Sequence, residues 1–296
     1  MADPGFPNLE FKVPAGATDP TDCHMHIFGD MATYPPAAWR AYDPTPATLQ
    51  VYNAEAARMG FSRVVFVQPS AYGTDNTCMK NALRARPKTS RGVAVIDAAT
   101  KEAELKELKK LGVRGVRLNL VSNGIPDIPA AIVQLQETAS RVGKLGWHIQ
   151  IFALPSLIAG IAPVIADLGV DVVIDHMGAG DGQLTAGRPG FDDVLALLRA
   201  NKAWVKVSGA NRVSRQNSGF EDAVPVIKAL VEANPERAVW GTDWPHIGPH
   251  TPGAPEPVLY MPHDNRALLR LLALAVTDPA VLQKVLVDNP ARLYGF

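Results

Sequence analysis

Apolar residues along this chain gather into short runs separated by helix-length amphipathic segments. The runs are Arg63 to Gln68, Gly92 to Asp97, Val113 to Asn119, Trp147 to Phe152, Val170 to Asp175, Ala203 to Ser208 and Ala238 to Asp243, and an earlier one spans Thr21 to Phe28. Between them, Glu102 to Leu111, Ala130 to Leu145, Phe191 to Ala200 and Phe220 to Ala233 carry apolar residues at spacings of three and four, the period of a helix with one buried face. Thr45-Pro46 reads as a cap and first-turn proline opening a further helix through Met59. Strands that are apolar almost throughout, alternating with helices, predict a parallel sheet covered by helices. Eight such units predict an α/β fold of the (β/α)8 TIM-barrel type. A doubly wound open sheet is the alternative, but no G-x-G-x-x-G follows an early strand. There is no repeat and no break in composition, so residues 21–296 form one expected domain, preceded by an extended Pro-, Gly- and Ala-rich arm over residues 1–20.

The first run, Thr21-Asp22-Cys23-His24-Met25-His26-Ile27-Phe28, breaks the apolar rule. Strict alternation places Asp22, His24 and His26 on one face and Cys23, Met25 and Ile27 on the other, against helices. Buried imidazoles and a carboxylate are costly unless they are hydrogen-bonded or used. In a barrel of this kind catalytic groups sit at the carboxyl ends of the strands. Those ends supply His24 and His26, Gln68 and Ser70, Asp97, Arg117 and Asn119, Gln150 and Phe152, Asp175 and His176, Ser208 and Arg212, and Asp243 with His246. The loop Gly29 to Thr45, with Tyr34, Trp39 and Tyr42, is aromatic enough to wall a pocket. His148, His250 and His263 are read as structural or solvent-facing.

Charge narrows the partners. Among 296 residues, 29 are basic and 29 acidic, which gives no reason to expect nucleic acid or an anionic membrane. No run of about 18 apolar residues and no signal-type leader is apparent, so a soluble, cytoplasmic protein is expected. Two cysteines, Cys23 and Cys78, suggest neither a disulfide framework nor a thiolate zinc site, and each reads as a small buried hydrophobe.

The Asp-Cys-His-Met-His start, Val-Ile-Asp-His-Met-Gly at 173–178, Gly-Thr-Asp-Trp-Pro-His at 241–246 and Asp-Asn-Pro-Ala-Arg-Leu-Tyr at 288–294 resemble the amidohydrolase superfamily. Within it they resemble the branch of 2-pyrone-4,6-dicarboxylate lactonases, 4-sulfomuconolactone hydrolases and sugar-acid lactonases. Gly112-Val-Arg-Gly-Val-Arg-Leu-Asn119 and Lys144-Leu-Gly-Trp-His148 narrow it towards the first of these.

That resemblance implies an enzyme of aromatic-compound catabolism that opens an anionic lactone. Asp243 would accept the water proton, and His176, His24 and His26 would polarise the carbonyl or orient the substrate. Arg117 and Arg212 match anion-binding arginines of the branch, although each could instead pair with a local carboxylate. Tyr42 matches a substrate-facing tyrosine, and Ser70, Phe152 and His246 join the expected substrate-binding set. Two positions depart from the pattern: Asn123 stands where the pyrone dicarboxylate lactonases carry a further arginine, and Phe152 where they carry a tyrosine. The missing cation turns the expectation from the pyrone dicarboxylate towards a differently substituted muconolactone, such as 4-sulfomuconolactone.

Superfamily members that bind one divalent ion use the strand-1 histidine pair, a strand-5 histidine and the strand-8 aspartate. Here His148 lies at the start of strand 5, roughly 13 Å from Phe152 at the usual rise per residue. Three candidate ligands remain, His24, His26 and Asp243, and catalysis without a required metal is expected, with one zinc or manganese ion as the alternative. A sugar-acid lactonase or isomerase, a metal-dependent decarboxylase or hydratase of the same superfamily, and a non-catalytic binding barrel are the other readings. Assembly as a homo-oligomer is left open.

Overall fold

The computed structural model describes residues 18–122, 124–178, 187–250 and 257–296; most of the expected arm, and Asn123, lie outside them. Eight strands, β1 (Thr21–Met25), β2 (Arg63–Val67), β3 (Ser90–Ala94), β4 (Val113–Asn119), β5 (His148–Phe152), β6 (Val172–Ile174), β7 (Trp204–Val207) and β8 (Ala238–Trp240), follow one another in chain order around one parallel sheet. The first and last strands meet through a parallel bridge between Met25 and Trp244. There the His26 amide donates to the Trp244 carbonyl and the Asp243 amide to the His24 carbonyl, both at 2.8 Å. The barrel is therefore closed just beyond the end of β8.

Helices α1 (Leu49–Met59), α2 (Thr77–Ala85), α3 (Glu102–Leu111), α4 (Ile128–Val142), α5 (Pro155–Asp167) and α6 (Phe191–Arg199) connect successive strands. A four-residue helix α7 (Ala210–Val213) and α8 (Val224–Ala233) follow β7, and α9 (Asn265–Ala275), α10 (Pro279–Gln283) and α11 (Asn289–Tyr294) follow β8. No helix among the described residues is long and apolar enough to cross a membrane.

Two apolar clusters hold the layers together. The larger runs between the outer faces of the strands and the helices, with Met25, Phe66, Val116, Ile149 and Ile151 meeting Leu83, Leu108, Leu135 and Ile158. The smaller joins Cys23, Val65, Val67, Val93, Val173, Trp204, Val239 and Tyr294, the inward positions of the strands and a plug from α11. Tyr294 is fully buried and meets the His148 ring edge-on at 5.4 Å. Arg91 donates to the backbone carbonyls of Tyr294 and Gly295. His148 thus has the structural role expected of it, at the end of the barrel opposite the candidate site.

Three details differ from the sequence reading. The register of β1 on β2 slips between Asp22 and Met25, and such a bulge breaks the two-residue alternation. Cys23 consequently joins the interior cluster, whereas Asp22 turns to the seam and accepts from Tyr52 of α1 at 2.9 Å and from the Thr242 hydroxyl at 2.7 Å. Met25 and Ile27 face the helices as expected. The cap of α1 is Thr48 rather than Thr45, because Ala47 is still exchanging backbone hydrogen bonds with Phe28. The third strand begins and ends earlier than its apolar run, and Asp97 caps the turn to Thr100 instead of pointing into a site.

The plug yields a test. Tyr294→Ala removes a large ring from a packed interior and should cost about 3 to 5 kcal/mol. Tyr294→Phe removes a buried hydroxyl with no hydrogen-bond partner among the described residues and should change stability by less than about 1 kcal/mol. Urea denaturation of the two variants checks this; equal losses would show that the hydroxyl, not the packing, is what matters.

Candidate active site

The carboxyl ends of the strands turn sharply where the polar residues begin. His176, Met177, Asp243 and His246 take positive φ values of 50°, 62°, 63° and 64°, a left-handed region that side chains normally avoid. The turns aim the His176 and Asp243 side chains at one point. Space around them is tight: a Cβ on Gly241 would lie 2.6 Å from the His24 amide nitrogen, and one on Gly209, itself at φ 65°, would lie 3.1 Å from His176 Nδ1.

At the centre, Asp243 Oδ1 lies 3.7 Å from His24 Nε2, 3.8 Å from His26 Nε2 and 3.7 Å from His176 Nε2. Its other oxygen accepts from Arg212 Nε at 3.0 Å and pairs with Nη2 at 2.9 Å. Burial would raise the Asp243 carboxyl, but Arg212 and then the three imidazoles hold it well below the usual carboxylate range. Burial pushes the imidazoles the other way: His26 falls to about 4, His176 to about 3, and His24 well below its ordinary value, with Lys206 adding to the effect on His24. At neutral pH the centre is one carboxylate ringed by three neutral imidazoles.

A second buried carboxylate, Asp175, lies beneath. Its Oδ2 accepts from Arg117 Nε and Gln150 Nε2, both at 3.0 Å, and its Oδ1 is 3.3 Å from His24 Nδ1. Lys206, fully buried on β7, donates to Gln150 Oε1 at 2.5 Å. Desolvation lowers Lys206 to about 8 against the pull of Asp175. The sequence reading passed over this lysine. The signal was there: a charged residue two places after Trp204 in an apolar run shares that residue's inward face.

A cavity of about 550 Å³ opens above the centre. His26, His176, Arg117, Arg212, Tyr42, Ser70 and Phe152 line it, with Asn119 and Asn211. His24 and Asp243 are almost wholly buried and do not line it. Each arginine uses its Nε on a local carboxylate; both terminal nitrogens of Arg117 lack a hydrogen-bond partner among the described residues. The two guanidiniums flank the Phe152 ring, 5.6 and 5.7 Å from its centroid. The Tyr42 hydroxyl is buried, and burial raises it to about 12, so it stays protonated.

Three histidines belong elsewhere than expected. His246 does not line the cavity; its Nε2 meets Asn265 Oδ1 at 2.8 Å, which draws it behind the wall. His250 and His263, read as structural or solvent-facing, do line it, because the chain after β8 folds back over the end of the barrel. His250 packs on the Tyr42 ring at 4.8 Å and His263 on His246 at 5.3 Å.

His24, His26 and Asp243 present ligand atoms within 4.8 Å of one another. The His26 Nδ1 faces the Val67 carbonyl at 2.8 Å; a carbonyl only accepts, so the hydrogen is on Nδ1 and the Nε2 lone pair faces the centre. In atom type and spacing the three groups fit a divalent cation such as zinc or manganese.

A parallel eight-stranded barrel bearing imidazoles around one carboxylate at the carboxyl ends of its strands has the architecture of a barrel hydrolase. The chain belongs to the amidohydrolase family, whose model matches residues 21–296. It is 35% identical to a 2-pyrone-4,6-dicarboxylate hydrolase of Comamonas testosteroni, over 99% of this chain and 94% of the relative. It is 33% identical to a 4-sulfomuconolactone hydrolase of Rhizobium radiobacter, over 97% and 92% respectively. Among solved structures it resembles a probable 2-pyrone-4,6-dicarboxylic acid hydrolase from Acinetobacter baumannii with citric acid bound, with a TM-score of 0.79, 28% identity, and coverage of 94% of this chain and 100% of that one.

The neutral imidazoles carry a pH signature. The unfolded chain binds protons on histidine below about pH 6.5, whereas folded His24, His26 and His176 do not until lower pH. Their contribution to stability is therefore complete above about pH 6.5 and is lost as the pH falls towards the folded values. The carboxylate contribution of Asp243 acts in a lower window, present above about pH 4 and lost on further acidification. Urea midpoints should thus drop between pH 7.5 and pH 5. An unchanged midpoint would show that the imidazoles titrate normally in the folded protein.

Proposed function

We propose that the protein hydrolyses an anionic lactone, a substituted muconolactone or a 2-pyrone dicarboxylate, as a cytoplasmic enzyme of aromatic-compound breakdown. The observation that carries this reading is the Asp243 carboxylate, ringed by three imidazoles and set beneath a cavity edged by two arginines. The names of the two curated relatives and the citrate in the solved structure support the substrate class.

The substrate anion takes the terminal nitrogens of Arg117 and the exposed side of Arg212, with the Tyr42 hydroxyl as a further donor. Drawing Arg212 towards the substrate weakens its hold on Asp243 and makes that carboxylate a better base. Water then gives a proton to Asp243 Oδ1 as its oxygen adds to the lactone carbonyl. The tetrahedral oxyanion is stabilised by imidazole hydrogen bonding from the His176 side of the cavity. The ring C–O bond breaks, the leaving oxygen takes the proton back, and a new carboxylic acid results. In this reading no metal is obligatory. A zinc or manganese ion would be held by His24, His26 and Asp243 and would supply Lewis-acid polarisation of the carbonyl.

A panel of anionic lactones in weak buffer with a pH indicator, with and without chelator, tests the reaction through the acid it releases. Substituted muconolactones should be opened with higher kcat/KM than 2-pyrone-4,6-dicarboxylate, since Asn123 replaces an arginine of the pyrone branch. Asp243→Asn should lower kcat on the order of 10³-fold with much less effect on binding, and Arg117→Met should weaken the anionic substrate severely. Near wild-type turnover by Asp243→Asn would assign the base elsewhere, and a preference for the pyrone dicarboxylate would restore that substrate.

A further inference from the structure

We propose that Lys206 places the hydrogen of His24 on Nε2 and so withdraws this imidazole from the metal-ligand set, leaving a centre that works by hydrogen bonding and holds divalent cations weakly. The inference rests on the reading of His24, His26 and Asp243 as the reaction centre.

Lys206 Nζ lies 3.4 Å from His24 Nδ1, 2.5 Å from Gln150 Oε1 and 3.8 Å from Asp175 Oδ1. Gln150 cannot turn over to offer its amide nitrogen, because that nitrogen already donates to Asp175 Oδ2 at 3.0 Å. Its oxygen therefore faces Lys206 and anchors the ammonium under the His24 ring. An ammonium has donors and no lone pair. His24 Nδ1 must then accept, which leaves the ring hydrogen on Nε2; that nitrogen faces Asp243 Oδ1 at 3.7 Å, too far for a hydrogen bond, and has no other partner among the described residues. The competing acceptor for an Nδ1 hydrogen, Asp175 Oδ1, is 3.3 Å away but outside hydrogen-bond geometry, whereas the Lys206 contact at 3.4 Å is within it.

His26 carries the opposite arrangement, with its Nδ1 hydrogen on the Val67 carbonyl and its Nε2 lone pair towards Asp243. The two histidines of the pair are thus one donor and one acceptor. That suits a hydrogen-bonded water or oxyanion, whereas a cation needs a lone pair from each. The fixed charge of Lys206 below the centre, added to those of Arg117 and Arg212, also repels a dication. Without Lys206, Asp175 Oδ1 stands ready to take the Nδ1 hydrogen, the carboxylate–imidazole pairing that ordinarily orients a ligating histidine.

The test uses the purified full chain stripped by chelator. Zinc is titrated in competition with a chromophoric chelator against wild type, Lys206→Met and Lys206→Gln, with circular dichroism confirming the fold of each. Both variants should bind zinc at least about 10-fold more tightly than wild type, and adding Asp243→Asn to either should abolish the gain. Long-range 1H–15N spectra of histidine-labelled wild type need no lysine variant; they should show the His24 and His26 rings as opposite tautomers. Folded variants that bind zinc no more tightly than wild type would overturn the proposal, as would an Nδ1-protonated His24 in the metal-free wild type. Neither readout involves a lactone, so failure of the substrate reading and failure of this one are separate results.

Discussion

Buried charge is the constraint on which the rest depends. Asp175, Asp243, Arg117 and Lys206 are all at most 6% exposed at one end of the barrel, and Arg212 reaches in beside them. An unmatched charge at such depth costs roughly 3 to 5 kcal/mol, so each must meet its partner across the sheet. The partners come from different strands: Arg117 from β4, Gln150 from β5, Asp175 from the end of β6, Lys206 from β7, Arg212 from just after it and Asp243 from beyond β8. Satisfying these pairs locks the strand ends into one relative register. The geometry of the centre and the closure of the barrel are the same condition.

The network also keeps the arginine-edged cavity from being an unsatisfied cationic hole. Asp175 anchors Arg117 at Nε, leaving its terminal nitrogens without a protein partner among the described residues, whereas Asp243 holds Arg212 through Nε and Nη2, and both guanidiniums lie over the Phe152 ring. The anchoring reduces the conformational freedom lost on binding. It also links the cavity to the buried centre, since Arg212 touches both the cavity and Asp243.

Much of this was legible in the residues. Eight apolar runs report eight strands, and polar residues at their far ends report where polar groups gather, so His26, Arg117, His176 and Arg212 line one cavity and His24 and Asp243 lie buried beside it. What escaped depends on information that is not periodic. The bulge in β1 rotates Cys23 inward and Asp22 to the seam, and no pattern of apolar residues signals a single extra residue in a strand. His250 and His263 reach the cavity only because a long segment returns over the barrel, a path set by tertiary packing. His246 sits three residues from Asp243 in the same turn, yet Asn265, distant in sequence, draws its ring away. Lys206 could have been found by applying the alternation rule within its own strand.

The Asp22 carboxylate has a consequence in time as well as in space. It accepts from the amide of His24 and, 220 residues away in sequence, from the amide and hydroxyl of Thr242, while Tyr52 of α1 donates to the same group. The residues immediately after these on either side of the seam are the ones that bring His26 and Asp243 together. Until the first and last strands have met, His26 and Asp243 belong to opposite ends of a chain with nothing to hold them in reach of each other. The centre therefore exists only once the two ends of the chain have met, however complete the helices and inner strands.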